Sequence, residues 1–261
     1  MFKFEDDKCY RMPAHFGGGA YDPAAKATYR DVTTLAYSYT TDASLLADLL
    51  PEGFELLRPE LQVQYQQCRE VDWMAGSYYN LIWVAAPVRF RGRRDELEGT
   101  FALVVWENKT TPILTGNMMG IPKIYADVED LHILGEKYRS SASYEGSTFL
   151  EVEMTRTQPM GEPELKALHG DLNSFGWLHI PKIGGPGAEL SKPTYFPMRW
   201  EPSSGWMGRG TLRWTELTWE QNPMQWHIIR ALARLPMLEL APAALMKGQM
   251  ILCDAKGRVL Q

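Results

Sequence analysis

The sequence predicts an α+β fold dominated by β-structure: a curved antiparallel sheet or barrel with a few flanking helices. Three observations lead there. Runs rich in β-branched and aromatic residues recur along most of the 261 residues. Only two or three segments carry helix start signals or helical periodicity. No internal repeat, low-complexity segment or linker divides the chain, so a single domain over 1–261 is expected.

Residues 1–28 hold turn formers (Pro13, Gly17 to Gly19, Pro23) and little periodicity, and read as an irregular N-terminal arm. Asp31–Tyr39 (DVTTLAYSY) reads as a strand. Asp42 then caps a short helix, ASLLADLL, that ends at Pro51 and Gly53. Strand character returns at Glu60–Cys68 and Ser77–Arg91. The second run feeds a loop, RGRRDELEG, and the apolar strand Thr100–Trp106, which together predict a hairpin with a long charged tip. After the Gly-Pro punctuated stretch Ile113–Tyr125, strands are expected at His132–Leu134 and Ser141–Arg156, and a short helix at Glu162–His169. Ile183–Lys192 reads as a loop, and Pro193–Trp200 and Gly208–Trp219 as strands. Asn222-Pro223 is a helix start signal. The helix that follows places Ile228, Leu232 and Leu235 on one face, and Met250–Leu260 reads as a closing strand.

Composition narrows the function classes. A net charge of -5 and a pI near 5.6 argue against a nucleic-acid partner. Cys9, Cys68 and Cys253 are odd in number and form no CxxC pair, which fits a reducing cytoplasm better than a disulfide framework. No stretch reaches the roughly 18 apolar residues of a membrane helix, and MFKFEDDKCYRM lacks the apolar run of a signal peptide. His15, His132, His169, His179 and His227 show no metal-ligand spacing, so each is read as structural. The glycine runs Gly17–Gly19 and Ile183–Gly187 lack the strand–GxGxxG–helix context of a nucleotide site. Nothing calls for a cofactor.

The segment Thr115–Lys123, TGNMMGIPK, carries the chemistry. Gly120 and Pro122 bracket a rigid turn, and Lys123 follows the proline directly. Met118, Met119, Ile121 and Ile124 surround the lysine with apolar side chains. Desolvation of that kind disfavours an ammonium, and a neutral amine is what attack on a carbonyl requires. The plainer reading is a surface lysine on a turn.

These residues resemble the active-site signature of the acetoacetate decarboxylase-like superfamily, which runs Gly-Arg-Glu-Met-Leu-Gly-Phe-Pro-Lys-Lys. Gly120, Pro122 and Lys123 match it, and Lys123 takes the place of the Schiff-base lysine. The order of elements is also similar over most of the chain. SYTTD precedes a helix and LPEGFEL, and Tyr79-Asn80-Leu81…Ala86-Pro87-Val88 follows the family's Tyr-Asn-Glu…Pro-Val strand. The resemblance implies the family's curved sheet, a homo-oligomer, and carbon–carbon bond chemistry on a small oxo acid through a lysine imine.

Departures shape the expected reaction. Ile124 replaces the family's second lysine, the cation that activates its partner. Gly116-Asn117 replace Arg-Glu, and Leu81 replaces a carboxylate. The family's N-terminal substrate arginine falls on Val32, with Arg30 two residues away on the same face of a strand. Decarboxylation needs controlled charges around the leaving carboxylate, so these losses point instead to aldol condensation of pyruvate with an aldehyde, followed by dehydration. Acetoacetate decarboxylation is the second reading, and an oxo-acid-binding protein without turnover the third. Asn117 and Tyr79 are the expected proton-shuttling groups beside Lys123. Arg30, Tyr78, Leu81, Met118, Met119 and Gly120 are expected to contact substrate. The tryptophans suit a bulky aldehyde, and Arg199, Arg209 and Arg213 are further candidates for the oxo acid's carboxylate. RFRGRR reads as a solvated loop, and Glu151 and Glu153 as exposed residues of one strand face.

Overall fold

Alternation of apolar and polar residues decides how the long strands sit. The computed structural model describes residues 1–261. In the arm, β1 (Lys8–Cys9) and β2 (Gly19–Ala20) form a small antiparallel pair of their own. The main sheet begins with β3 (Ala27–Thr40). Asp42 then accepts the Leu45 N–H at 2.9 Å and caps α1 (Ala43–Ala47), as that residue type predicts. β4 (Phe54–Leu56), β5 (Glu60–Val71), β6 (Ser77–Arg91) and β7 (Glu96–Glu107) follow. Along β5, Leu61, Val63 and Tyr65 are wholly buried, while Gln62, Gln64 and Gln66 project from the other face.

The middle of the chain supplies α2 (Thr110–Asn117), β8 (Lys123–Tyr125), β9 (Asp127–Val128), β10 (His132–Leu134), β11 (Lys137–Tyr144) and β12 (Ser147–Pro159). The remainder comprises α3 (Glu162–Leu168), β13 (Gly170–Leu172), β14 (Ser174–Pro181), β15 (Ala188–Tyr195), β16 (Met198–Trp214), α4 (Trp226–Ala233), β17 (Glu239–Leu240), β18 (Ala243–Leu252) and β19 (Arg258–Val259). The strands β3 to β19 make one large mixed sheet that does not close into a barrel. Its pairings are antiparallel except β14 with β7 and β7 with β8. No helix is long and apolar enough to cross a membrane.

Several boundaries differ from the sequence expectation, each for an identifiable reason. The charged hairpin tip is short, because Arg89 lies opposite Glu98 and Arg91 opposite Glu96, so those charges extend the β6–β7 ladder. Ser141–Arg156 is broken into two strands by Glu145-Gly146, both at positive φ (47° and 83°), as a tight hairpin turn needs. The stretch before Asn117 forms a helix that its residues hide. Pro112 falls in the first turn, where its missing N–H costs nothing. β14 is unforeseen, and Ala188–Lys192 belongs to β15 rather than to a loop. β16 is one continuous strand across Pro202, where a register shift absorbs the proline. β18 begins well before Met250. On α4 the buried positions are Ile229, Leu232 and the following Leu235, with Ile228 only partly covered.

Two apolar clusters share β6 and β7. Ile82, Val84, Val104 and Trp106 join the larger, and Tyr79, Leu81 and Val105 join the smaller on the opposite face. A polar clamp fixes this layer. Trp106 Nε1 donates to Gln225 Oε1 at 2.7 Å, Gln225 Nε2 donates to the Tyr125 carbonyl at 2.7 Å, and Asn222 Oδ1 accepts the Gln225 N–H at 3.1 Å. Replacing Gln225 with Ala leaves the buried Trp106 N–H without a partner. We expect Gln225→Ala to lower unfolding stability by about 1–3 kcal/mol in a denaturant titration; an unchanged midpoint would show that the clamp contributes nothing.

Candidate active site

The lysine turn is built from α2 outward. After Asn117 the chain reverses through Gly120, whose φ of 79° suits glycine. A Cβ there would stand 2.5 Å from Thr194 Oγ1. Pro122 then leads into β8, which runs parallel to β7 with Lys123 beside Val105. Asn117 Oδ1 accepts the Lys123 backbone N–H at 3.0 Å, and the Gly116 carbonyl accepts from Met119 and Ile121. Gly116 also makes room for the lysine itself: a Cβ at that position would lie 2.5 Å from Lys123 Cε and overlap Cδ.

Lys123 therefore reaches inward, with its side chain 8% exposed and Nζ 2.8 Å from Glu107 Oε1. Glu107 is wholly buried at the end of β7, and its Oε2 has no hydrogen-bond partner. Burial pushes the Glu107 carboxyl above the usual carboxylate range, with the Lys123 charge opposing. The surroundings of the amine are thus not apolar alone, as Met118, Met119, Ile121 and Ile124 suggest, since a carboxylate shares its pocket. Glu107 is also the cross-strand partner of Leu81. The carboxylate that the family pattern places at position 81 is lost there and supplied by the facing strand.

Other groups close in. The Tyr79 ring centroid is 5.9 Å from Nζ, and its hydroxyl lies with that of Tyr29; burial raises both hydroxyls well above the ordinary tyrosine value. Cys68, opposite Tyr79 in the β5–β6 ladder, is buried, and its thiol is pushed up to about 12 chiefly by that burial. Lys123 borders two cavities. The larger, about 400 Å³, contains Tyr79, Leu81 and Glu107, runs along the glutamines of β5 past Trp83, and reaches the exposed Glu98 and Asp171. The smaller, about 250 Å³, lies toward the N-terminal arm and is lined by Arg11, Trp73, Met118, Met119 and Asp254. No group of three or more His, Cys, Asp or Glu forms a metal site.

The structure brings together Lys123, Tyr79, Leu81, Met118, Met119 and the turn at Gly120. Asn117 holds the lysine's backbone from the exposed side of the turn and lines neither cavity. Tyr78 points away: it is 48% exposed, and Arg69 and Lys109 cover its ring. Arg30 is exposed and borders neither cavity. A register shift between β3 and β18 breaks the alternation there, so Tyr29 and Val32 both turn inward. Arg199 is engaged by Asp171 and Glu201, Arg213 by Glu151, and Arg209 lies exposed. The sequence reading missed Glu107, Arg11, Trp73 and the glutamine row. Of these, only the row left a local trace, in the alternation Gln62-x-Gln64-x-Gln66.

A family model for acetoacetate decarboxylase matches residues 11–251. Among solved structures, the chain is similar to acetoacetate decarboxylase from Legionella pneumophila, with 18% identity, a TM-score of 0.76, and 94% of this chain and 92% of that one covered. It is also similar to the enduracididine biosynthesis enzyme MppR complexed with the condensation product of pyruvate and imidazole 4-carboxaldehyde. There the identity is 17% and the TM-score 0.73, over 98% of this chain and 97% of that one. An acetoacetate decarboxylase-like enzyme from Sphingomonas wittichii RW1 is 16% identical, with a TM-score of 0.70 over 94% and 95% of the two chains. No curated protein matches the sequence. At these identities the structural likenesses establish the fold.

The crowding at Gly116 yields a direct test. Gly116→Ala forces the Lys123 side chain off its path while leaving the exposed face of α2 untouched. A displacement of about 1 Å at a reacting group costs on the order of 100-fold in rate. We expect borohydride trapping of an oxo acid on Lys123 to slow by that order, with the circular dichroism spectrum unchanged; trapping at the wild-type rate would mean that the lysine's path is not fixed by Gly116.

Proposed function

We propose, from the premise that this chain belongs to the acetoacetate decarboxylase family, that it is a lyase forming a Schiff base between Lys123 and a small oxo acid. Its reaction is condensation of pyruvate with an aldehyde, followed by dehydration. The observation that carries the proposal is the buried Lys123–Glu107 pair at 2.8 Å, opening onto a cavity of about 400 Å³. Its support from likeness is that MppR has been seen with pyruvate and with a pyruvate–aldehyde condensation product.

Each step has a group in place. Glu107, biased by burial toward holding a proton, takes one from the Lys123 ammonium. The freed amine attacks the keto carbon, a proton passes from the nitrogen to the new alkoxide, and Glu107 returns its own to the resulting hydroxyl, which leaves as water. The iminium then acts as the electron sink, so no cofactor is needed. Glu107 Oε2, with no other partner, accepts a proton from the methyl carbon, and an enamine forms. The enamine carbon bonds to the aldehyde carbonyl carbon while the Tyr79 hydroxyl gives its proton to the new alkoxide and recovers one from the protonated Glu107. Glu107 then takes a second C–H proton and passes it to that hydroxyl, which leaves as water and creates a carbon–carbon double bond conjugated with the imine. A final water hydrolyses the imine, releases an unsaturated oxo acid and restores the lysine. Asn117 acts as a positioning residue through the Lys123 backbone.

The second reading, decarboxylation of a β-oxo acid, is favoured by one specific observation: Glu107 returns a carboxylate to the lysine's side after its loss at Leu81. The two readings separate by product. We expect pyruvate plus an aromatic aldehyde to give a conjugated product visible by ultraviolet absorbance, and acetoacetate to release little carbon dioxide; efficient release would select the decarboxylase. Borohydride in the presence of pyruvate should add mass to the Lys123 peptide, and Lys123→Ala should abolish the adduct. An adduct on another lysine would sink the mechanism. Glu107→Gln keeps the shape but removes the base, so turnover should fall about 10²–10⁴-fold while the imine can still be trapped on long incubation. Unaltered turnover in this variant would remove Glu107 from the reaction.

A further inference from the structure

The two cavities that meet at Lys123 differ in electrical character. Around the larger, the other charged groups are the carboxylates Glu98, Glu107 and Asp171, and no cation but Lys123 lines it. Glu98 and Asp171 are already paired with Arg89 and Arg199, so an anion would find no free cation there beyond Lys123. Around the smaller, Arg11 joins Lys123, against the single carboxylate Asp254. Arg11 makes no ion pair and no side-chain hydrogen bond, although arginines elsewhere at this protein's surface are engaged by carboxylates. Trp73 Nε1 is buried in the same wall without a full hydrogen-bond partner, the Tyr29 hydroxyl being its neighbour. Asp254 Oδ1 is likewise buried and unpartnered, and burial raises its carboxyl against the pull of Arg11 and Lys123.

An unpaired guanidinium and an indole N–H with only the Tyr29 hydroxyl nearby, on the wall beside an amine, form a receptor for an anion. We infer that Arg11 and Trp73 hold the oxo acid's carboxylate in the smaller cavity, leaving the larger, glutamine-walled cavity for the aldehyde. The carboxylate and keto carbon of a 2-oxo acid are adjacent atoms, so a carboxylate on the arm side presents the keto carbon to Nζ at the junction of the two spaces. Arg11 lies between β1 and β2, beside Cys9 and Tyr10 in the cavity wall. The N-terminal arm therefore carries a specificity-determining residue. The electron-rich enamine carbon points away from the carboxylate, toward the larger cavity. An uncharged aldehyde, with a polar edge along Gln62, Gln64 and Gln66 and an apolar face toward Trp83 and Met250, fits that space.

This inference rests on the Lys123 reading for the aldehyde's place but not for the carboxylate's, and the test separates the two. The probes are oxamate, a carboxylate that forms no imine; pyruvate; and acetone, a ketone without a carboxylate. Arg11 is exposed and unpaired, so Arg11→Met should fold. By calorimetry, oxamate should bind this variant about tenfold more weakly than wild type, as the loss of one charged hydrogen-bonding partner predicts. The half-saturating pyruvate concentration for borohydride trapping should rise similarly, trapping of acetone should not change, and Arg11→Lys should recover part of the loss. Equal oxamate binding by wild type and Arg11→Met, no oxamate binding by wild type, or parallel changes with pyruvate and acetone would each overturn the assignment. Arg11-dependent oxamate binding without a pyruvate adduct on Lys123 would instead retain the carboxylate site and reject the Schiff-base reading.

Discussion

The ion pair between Lys123 and Glu107 is the constraint on which the rest of the site depends. Neither charge can sit in an apolar interior alone, and breaking a buried pair by removing one member costs about 3–5 kcal/mol. The chain must therefore deliver both ends together. It does so by laying β8 beside β7 in parallel, so that the last residue of one strand and the first of the other project into one cavity. Everything near the pair serves that delivery. Gly116 clears the lysine's path, Asn117 fixes its backbone, and the Trp106–Gln225–Tyr125 clamp locks both strands beneath α4.

The pair also changes the charge that the amine meets. In the family pattern a second lysine beside the first lowers its proton affinity, and Ile124 removes that device here. The neighbour of the amine in this chain is instead the Glu107 carboxyl, pushed above the usual carboxylate range by burial. One residue on the strand facing Leu81 thereby stands in for groups that the motif has lost.

Around this centre the sheet divides polar from apolar surfaces with the period of two inherent in a strand. Gln62, Gln64 and Gln66 line one wall of the larger cavity because Leu61, Val63 and Tyr65 fill the core behind them. Tyr79 and Leu81 face the lysine because Tyr78 faces outward under Arg69 and Lys109. Where the alternation is interrupted, between β3 and β18, Tyr29 enters the site and Arg30 leaves it. The N-terminal arm, which looks structureless as sequence, completes the smaller cavity.

What the sequence by itself determined is local: the strand periods of β3, β5 and β6, the Asp42 cap, and the turn that carries Lys123 after Gly120 and Pro122. These features depend on neighbours in the chain, so residue type and spacing suffice to predict them. Only the tertiary structure decided that Glu107, which as sequence merely ends an apolar run, would lie against Lys123. It also decided that the arginine sharing a cavity with the lysine would come from the arm and not from position 30. Strand pairing and register bring distant residues together, and a shift of one residue turns every side chain to the other face. No local pattern encodes that register, because it is set by the burial of whole strands against one another.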